Sequence, residues 1–161
     1  MHRPAEAADA AAPAAPVAGG PPRIVLGFDF GLKRIGVASG DTVSRTAAPV
    51  EAVPNGRKGP RWELIDAMVR EWRPALLVVG LPYNVDGSDS AMTLAARRFA
   101  DELARHSGLQ AVLVDERYSS GEAAARLKSA RAAGRRRRVV KADVDAAAAC
   151  VILERWFTGA A

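Results

Sequence analysis

Apolar residues occupy alternate positions from residue 24 onward, and a carboxylate breaks the alternation. In "VLGFDFGLKRIGVASGD", residues 25–41, Ile24, Leu26, Phe28 and Phe30 share one face of an extended chain, and Val25, Gly27 and Asp29 share the other. The pattern predicts a strand over residues 23–30, a tight turn at Gly31-Leu32-Lys33, and further strands over 34–39 and 47–53. "NGRKGP" reads as a loop. Over residues 60–73 the period lengthens, with Trp62, Ile65, Val69 and Trp72 at helical spacing. "ALLVVG", residues 75–80, is apolar throughout and predicts a central strand covered on both faces. Ser88 or Asp89 is placed to cap a helix running to about His106, and "QAVLVDE" predicts another strand. Ser119 with Glu122 matches a capping box opening a helix over about 120–132. A basic loop and a last helix over about 144–157 complete the order β-β-β-α-β-α-β-α-α. An antiparallel meander followed by alternating units predicts an α/β fold, one mixed five-stranded sheet with helices on both faces.

Three acids stand at the ends of apolar segments, on inward faces. Asp29 shares a strand face with Val25. Glu116, in "VLVDERYSS", shares one with Val112 and Val114 and lies where that strand ends, the usual site position in open α/β sheets. Asp145 falls on the helical stripe of Ala149, Ile152 and Trp156. Each alone has a structural explanation. Asp29 can bond turn amides, Glu116 can pair with Arg117 or Arg126, and Asp145 can favour a helix N-terminus, with Asp143 as the cap. Together they are harder to dismiss. Three converging carboxylates need protonation or a cation to relieve their repulsion, and a divalent metal on such acids hydrolyses phosphodiesters.

Composition narrows the choice of metal and partner. The 161 residues suit one domain. With one cysteine, Cys150, no disulfide framework exists within the chain, and a reducing compartment, the cytoplasm, is the simplest expectation. With only His2 and His106, a histidine metal site is disfavoured, so any metal is expected on oxygen ligands, as Mg²⁺ or Mn²⁺. The net charge of +5 favours a polyanionic partner. Residues 1–22, rich in Ala and Pro, lack large apolar side chains; they are expected to be a disordered tail, not a signal or membrane segment. Residues 23–158 are expected to form the domain and 159–161 a short C-terminal tail.

The motifs "GFDFGLKRIGVA", "VVGLPYNVDGS", "VDERYSS" and "KADVDAAAACVIL", in this order and spacing, resemble the YqgF family, also called RuvX, of bacterial proteins assigned to pre-16S rRNA cleavage. That family belongs to the RNase H-like superfamily, near the RuvC-type Holliday junction resolvases. The similarity covers roughly residues 23–158. It implies an RNase H-like nuclease domain and Mg²⁺ or Mn²⁺ dependence. It also implies a role in trimming the 5′ end of 16S rRNA, with precursor 16S rRNA, alone or in ribosomal particles, as the partner. Its acid positions fall on Asp29, Glu116 and Asp145, which become the expected catalytic and metal-holding residues. Two positions depart from the family: Leu32 stands where threonine is usual, and "GRRRR" replaces a more mixed loop.

The expected nucleic-acid contacts are Lys33, Arg34, Asn84, Arg117, Arg135, Arg136, Arg137, Arg138 and Lys141. The basic run should attract a phosphate backbone, although such runs are more often simply solvated. Tyr83 and Tyr118 are weaker candidates for base stacking. Three alternatives stand. One is a Holliday junction resolvase acting on branched DNA, which needs a two-fold dimer; monomer and homodimer both remain open. Another is a non-catalytic RNA-binding factor, which has no use for three converging acids. The last is an ATP-binding phosphotransferase: "DFGLKRIG" resembles the phosphate hairpin of sugar kinases and actin-like ATPases, but those proteins need two such domains and this chain has length for one.

Overall fold

The computed structural model describes residues 23–116 and 141–159. Its elements are β1 (Ile24–Asp29), β2 (Arg34–Asp41), β3 (Thr46–Pro54), α1 (Trp62–Trp72), β4 (Leu76–Leu81), α2 (Ala91–Ser107), β5 (Ala111–Asp115) and α3 (Lys141–Thr158). The helix expected over 120–132 lies outside the described residues, as does the tail expected at 1–22; of the C-terminal tail expected at 159–161 only Gly159 is described.

The strands form one sheet in the order β3-β2-β1-β4-β5. The meander pairs antiparallel, Asp29 lying opposite Gly36. β4 then joins β1 in parallel, Phe28 beside Val79, and β5 joins β4 in parallel, Gly80 beside Val114. This register aligns the C-terminal ends of β1, β4 and β5 along one edge. Pro49 and Pro54 fall on β3, the outer strand of the meander, where a missing N–H costs no ladder bond.

Alternation in β1 is read by two different layers. Leu26 and Phe28 face α1 and α2, in a core with Ile35, Val37, Leu77, Ile65, Met68, Phe99 and Leu103. Val25 faces α3, in a second core with Val78, Val112, Val114, Ala149, Ile152, Leu153 and Trp156. Burial on both sides is why β1, β4 and β5 are so continuously apolar. Helix α3 is buried from Ala146 to Leu153 without a break, as its run of alanines and aliphatics requires.

The structure moves two predicted boundaries. The cap of α2 is Ser90, not Ser88 or Asp89: its hydroxyl accepts from the Thr93 N–H (3.1 Å), and the Thr93 hydroxyl accepts from the Ser90 N–H (2.9 Å). Ser90 and Thr93 also both donate to the Pro82 carbonyl, at 3.1 and 2.8 Å, which ties the helix start to the end of β4. Ser90→Ala is expected to lower stability by about 1 kcal/mol through loss of the cap, read as a shifted urea midpoint. Helix α3 opens at Lys141, three residues before Val144, because Lys141 and Ala142 are good helix formers and nothing breaks the chain there.

Candidate active site

The edge where β1, β4 and β5 end collects acids on the α3 side of the sheet. Asp29 closes β1 and is partly buried. Glu116 follows β5, and its N–H donates to the Leu81 carbonyl (3.0 Å), so the ladder to β4 runs one residue past the strand. Its residue is only 7% exposed, an unusual burial for a glutamate. Two glycines make the space. A Cβ on Gly80 would lie 3.0 Å from the Glu116 carboxyl carbon. A Cβ on Gly36, opposite Asp29, would overlap the backbone carbonyl of Asp145. Without side chains at these positions, Glu116 folds in over β4 and the start of α3 settles onto β2.

The three acids are not equivalent. The side chains of Asp29 and Glu116 are within hydrogen-bonding reach of each other. Asp145 is near enough for its charge to act on Asp29. Its own carboxylate accepts a hydrogen bond from Arg34 Nε at 3.0 Å, with both side chains partly exposed. Burial, first of all, lifts the Asp29 carboxyl from 3.8 to about 6. The negative charge of Asp145 adds to this, and the hydrogen bond with Glu116 opposes it. Among the described residues, no group of three or more His, Cys, Asp or Glu is arranged to hold a metal ion with the side chains as they lie. The geometry is thus a carboxyl pair with a third acid held by an arginine.

The helix-terminus explanation for Asp145 does not survive. With α3 beginning at Lys141, Asp145 lies beyond the first turn, where the helix dipole has faded, and its partner is Arg34 of β2. Sequence gives no sign of this pairing between residues 111 positions apart.

The other predicted site residues are distributed as follows. Lys33 is exposed in the β1–β2 turn beside Leu32, itself 66% exposed. Asn84 is exposed, but its amide nitrogen is engaged within its own loop, donating to Ser88 Oγ (3.0 Å) and the Asp89 carbonyl (3.3 Å). Tyr83 accepts from Arg97 Nη2 at 2.8 Å. Arg117, Tyr118 and Arg135 to Arg138 lie outside the described residues; Lys141 is described only as the first residue of α3. The sequence reading missed Asn55, which joins two loops at this edge. Its side chain donates to the Gly31 carbonyl (2.7 Å) and its N–H to the Lys33 carbonyl (2.9 Å). An Asn-Gly pair just after a strand is the only hint.

A five-stranded mixed sheet of this order, with helices on both faces, is the RNase H-like fold, and its family and relatives make its class that of a nuclease, a phosphodiester hydrolase. The chain belongs to the RuvX family: the family model, described as a Holliday junction resolvase, matches residues 23–159. A relative from Edwardsiella ictaluri, named "Putative pre-16S rRNA nuclease", is 45% identical over 136 residues, covering 84% of this chain and 95% of the relative. One of the same name from Yersinia pestis is 44% identical over 135 residues, covering 84% and 94%. Among solved structures, the RuvC of T. thermophilus in complex with a Holliday junction substrate superposes with a TM-score of 0.51 over 84% of this chain and 94% of that one. At 17% identity that likeness concerns the fold. The expected mixed sheet and the family resemblance are both borne out.

Proposed function

We propose that the protein is a metal-dependent endonuclease of the bacterial cytoplasm that hydrolyses a phosphodiester bond near the 5′ end of precursor 16S rRNA. Asp29, Glu116 and Asp145 carry the reaction. The observation that supports this most is the contact between Asp29 and Glu116 under the field of Asp145, at the open ends of three strands. Such a pair is costly to keep for structure alone. The name shared by the relatives supplies the substrate.

The residues fit a hard divalent cation. The donors are all carboxylate oxygens, and the repulsion and burial that lift Asp29 are what a cation relieves. The chemistry such a cation supplies is Lewis-acid stabilisation of charge on the phosphodiester and activation of a water. The chain's own part is positional. The strand ends fix Asp29 and Glu116 side by side, and α3 brings Asp145 to them. Arg34 holds the Asp145 carboxylate at the site. Lys33, Asn84 and the basic residues Arg117 and Arg135 to Arg138 with Lys141 remain proposed contacts to the RNA.

A second reading, resolution of branched DNA, is favoured by the description of the matching family model. One assay separates the two. Precursor 16S rRNA and a four-way DNA junction are each incubated with Mg²⁺ or Mn²⁺, or with EDTA, using wild type and Glu116→Gln. The expected result is a cut in the RNA leader that needs the metal and is lost in Glu116→Gln. Cleavage by Glu116→Gln at the wild-type rate would remove the acid site from the reaction. Cutting of the junction alone would replace RNA by DNA as substrate.

A further inference from the structure

The "NGRKGP" segment, unremarkable in sequence, occupies a particular place in the fold. Strand β3 ends at Pro54 opposite Arg34, so the following residues leave the sheet at the same edge as the β1–β2 turn. Asn55 fastens the two together through the Gly31 and Lys33 carbonyls, at 2.7 and 2.9 Å. The loop closes on itself. The Arg61 N–H donates to the Pro54 carbonyl (3.1 Å), the Gly56 N–H to Asn55 Oδ1 (2.9 Å), and the Gly59 N–H to the Gly56 carbonyl (2.9 Å). Arg57 and Lys58 are therefore the two central residues of a tight turn, whose last position, Gly59, has φ +93°. Both are exposed, like Lys33 across the Asn55 bridge.

The charges in this corner are not used by the fold. Arg61, at the base of the loop, is neutralised by Glu63 at 2.6 Å. Among the described residues, the side chains of Lys33, Arg57 and Lys58 have no ion-pair or hydrogen-bond partner, and residues 54–61 contain no acid. A fold that holds three unpaired cations on two turns fastened together by Asn55, beside an acidic site, accepts their mutual repulsion. A polyanion arriving at that site relieves it.

We infer that Lys33, Arg57 and Lys58 form a basic rim, fixed by Asn55, that grips the phosphate backbone of the nucleic-acid strand on the β3 side of the acid pair. The inference rests on the nuclease reading and deepens it. The acids at the site repel phosphates, so a substrate strand needs cations close to but outside the carboxylates. The rim supplies them on rigid backbone, and it contacts phosphate without reading sequence.

The test is the salt dependence of binding by the full chain to a fluorescein-labelled RNA carrying the 16S precursor leader, read by anisotropy in EDTA so that no turnover occurs. Each phosphate contact to a single strand contributes about 0.7 to the slope of log K against log salt. Arg57→Ala/Lys58→Ala is expected to flatten the slope by about 1.4, and Arg57→Glu/Lys58→Glu to weaken binding further. Arg23→Ala/Arg70→Ala removes two exposed cations from the opposite edge of the sheet, one just before β1 and one in the last turn of α1, and is expected to leave the slope unchanged. A wild-type slope in Arg57→Ala/Lys58→Ala would overturn the rim and leave the nuclease reading standing. An equal flattening in the Arg23/Arg70 control would also overturn it, by showing that overall charge alone matters. Rim-dependent binding by a protein that cleaves nothing with metal would do the reverse, keeping the rim and removing the hydrolase. RNA left unbound by the wild type would end both.

Discussion

Asp29→Asn is expected to abolish cleavage and at the same time to stabilise the metal-free protein. The loss of activity should be roughly a thousandfold in kcat, about 4 kcal/mol of transition-state stabilisation. The gain in stability follows from the raised Asp29 carboxyl. Its value of about 6 in the fold, against 3.8 as a free group, means that folding favours the protonated form. Its contribution to stability is fully present below about pH 4 and is lost as pH rises through about 6. Above that, the wild type carries a buried charge that asparagine does not, worth no more than about 3 kcal/mol and shared with Glu116. Thermal melts in EDTA should therefore show the variant a few degrees more stable at pH 8 and equal to wild type at pH 4. Binding of RNA should persist. A variant less stable than wild type at pH 8 would mean that the Asp29 carboxylate is well accommodated, and the argument for a cation there would fail.

Gly36→Ala is expected to be the most damaging small substitution in the sheet. The added methyl overlaps the Asp145 backbone, and backbone, unlike a long side chain, cannot rotate away. Either β2 bends or α3 lifts, and α3 is buried along most of its length. Overpacking of this kind costs about 1–3 kcal/mol and sometimes more, and the upper end is expected. Lifting α3 also carries Asp145 away from Arg34 and Asp29, so activity should fall with stability. Gly56→Ala, where a Cβ meets nothing within 4 Å, is the control and should change stability by less than about 0.5 kcal/mol. Urea titrations of both variants check the pair. A Gly36→Ala protein with wild-type midpoint and full activity would show that the seating of α3 on β2 does not matter.

Most of what was legible in the sequence lay in its periods. The apolar repeat placed Asp29 with Val25, Glu116 with Val114, and Asp145 with Ile152, and the fold puts all three of those partners in one core, the one beneath α3. Misplaced ends had local causes. Ser90 caps α2 because the Pro82 carbonyl is there to receive its hydroxyl, a partner eight residues away that no capping rule includes. The distant pairings left no trace at all: Arg34 with Asp145, and Asn55 with the turn at Gly31.

The sequence alone determined which residues extend, which coil, and toward which side each acid points, because those follow from the two backbone periods and are set within a few residues. Tertiary structure decided what each acid meets. Parallel insertion of β4 between β1 and β5 brought the strand ends level, and the bare backbone at Gly36 and Gly80 let α3 and Glu116 close over them. Only that packing brought the separately placed carboxylates into a close pair and an arginine-held third acid, and set the proposed basic rim beside them. Such contacts depend on strand order and helix seating, which are properties of the whole chain.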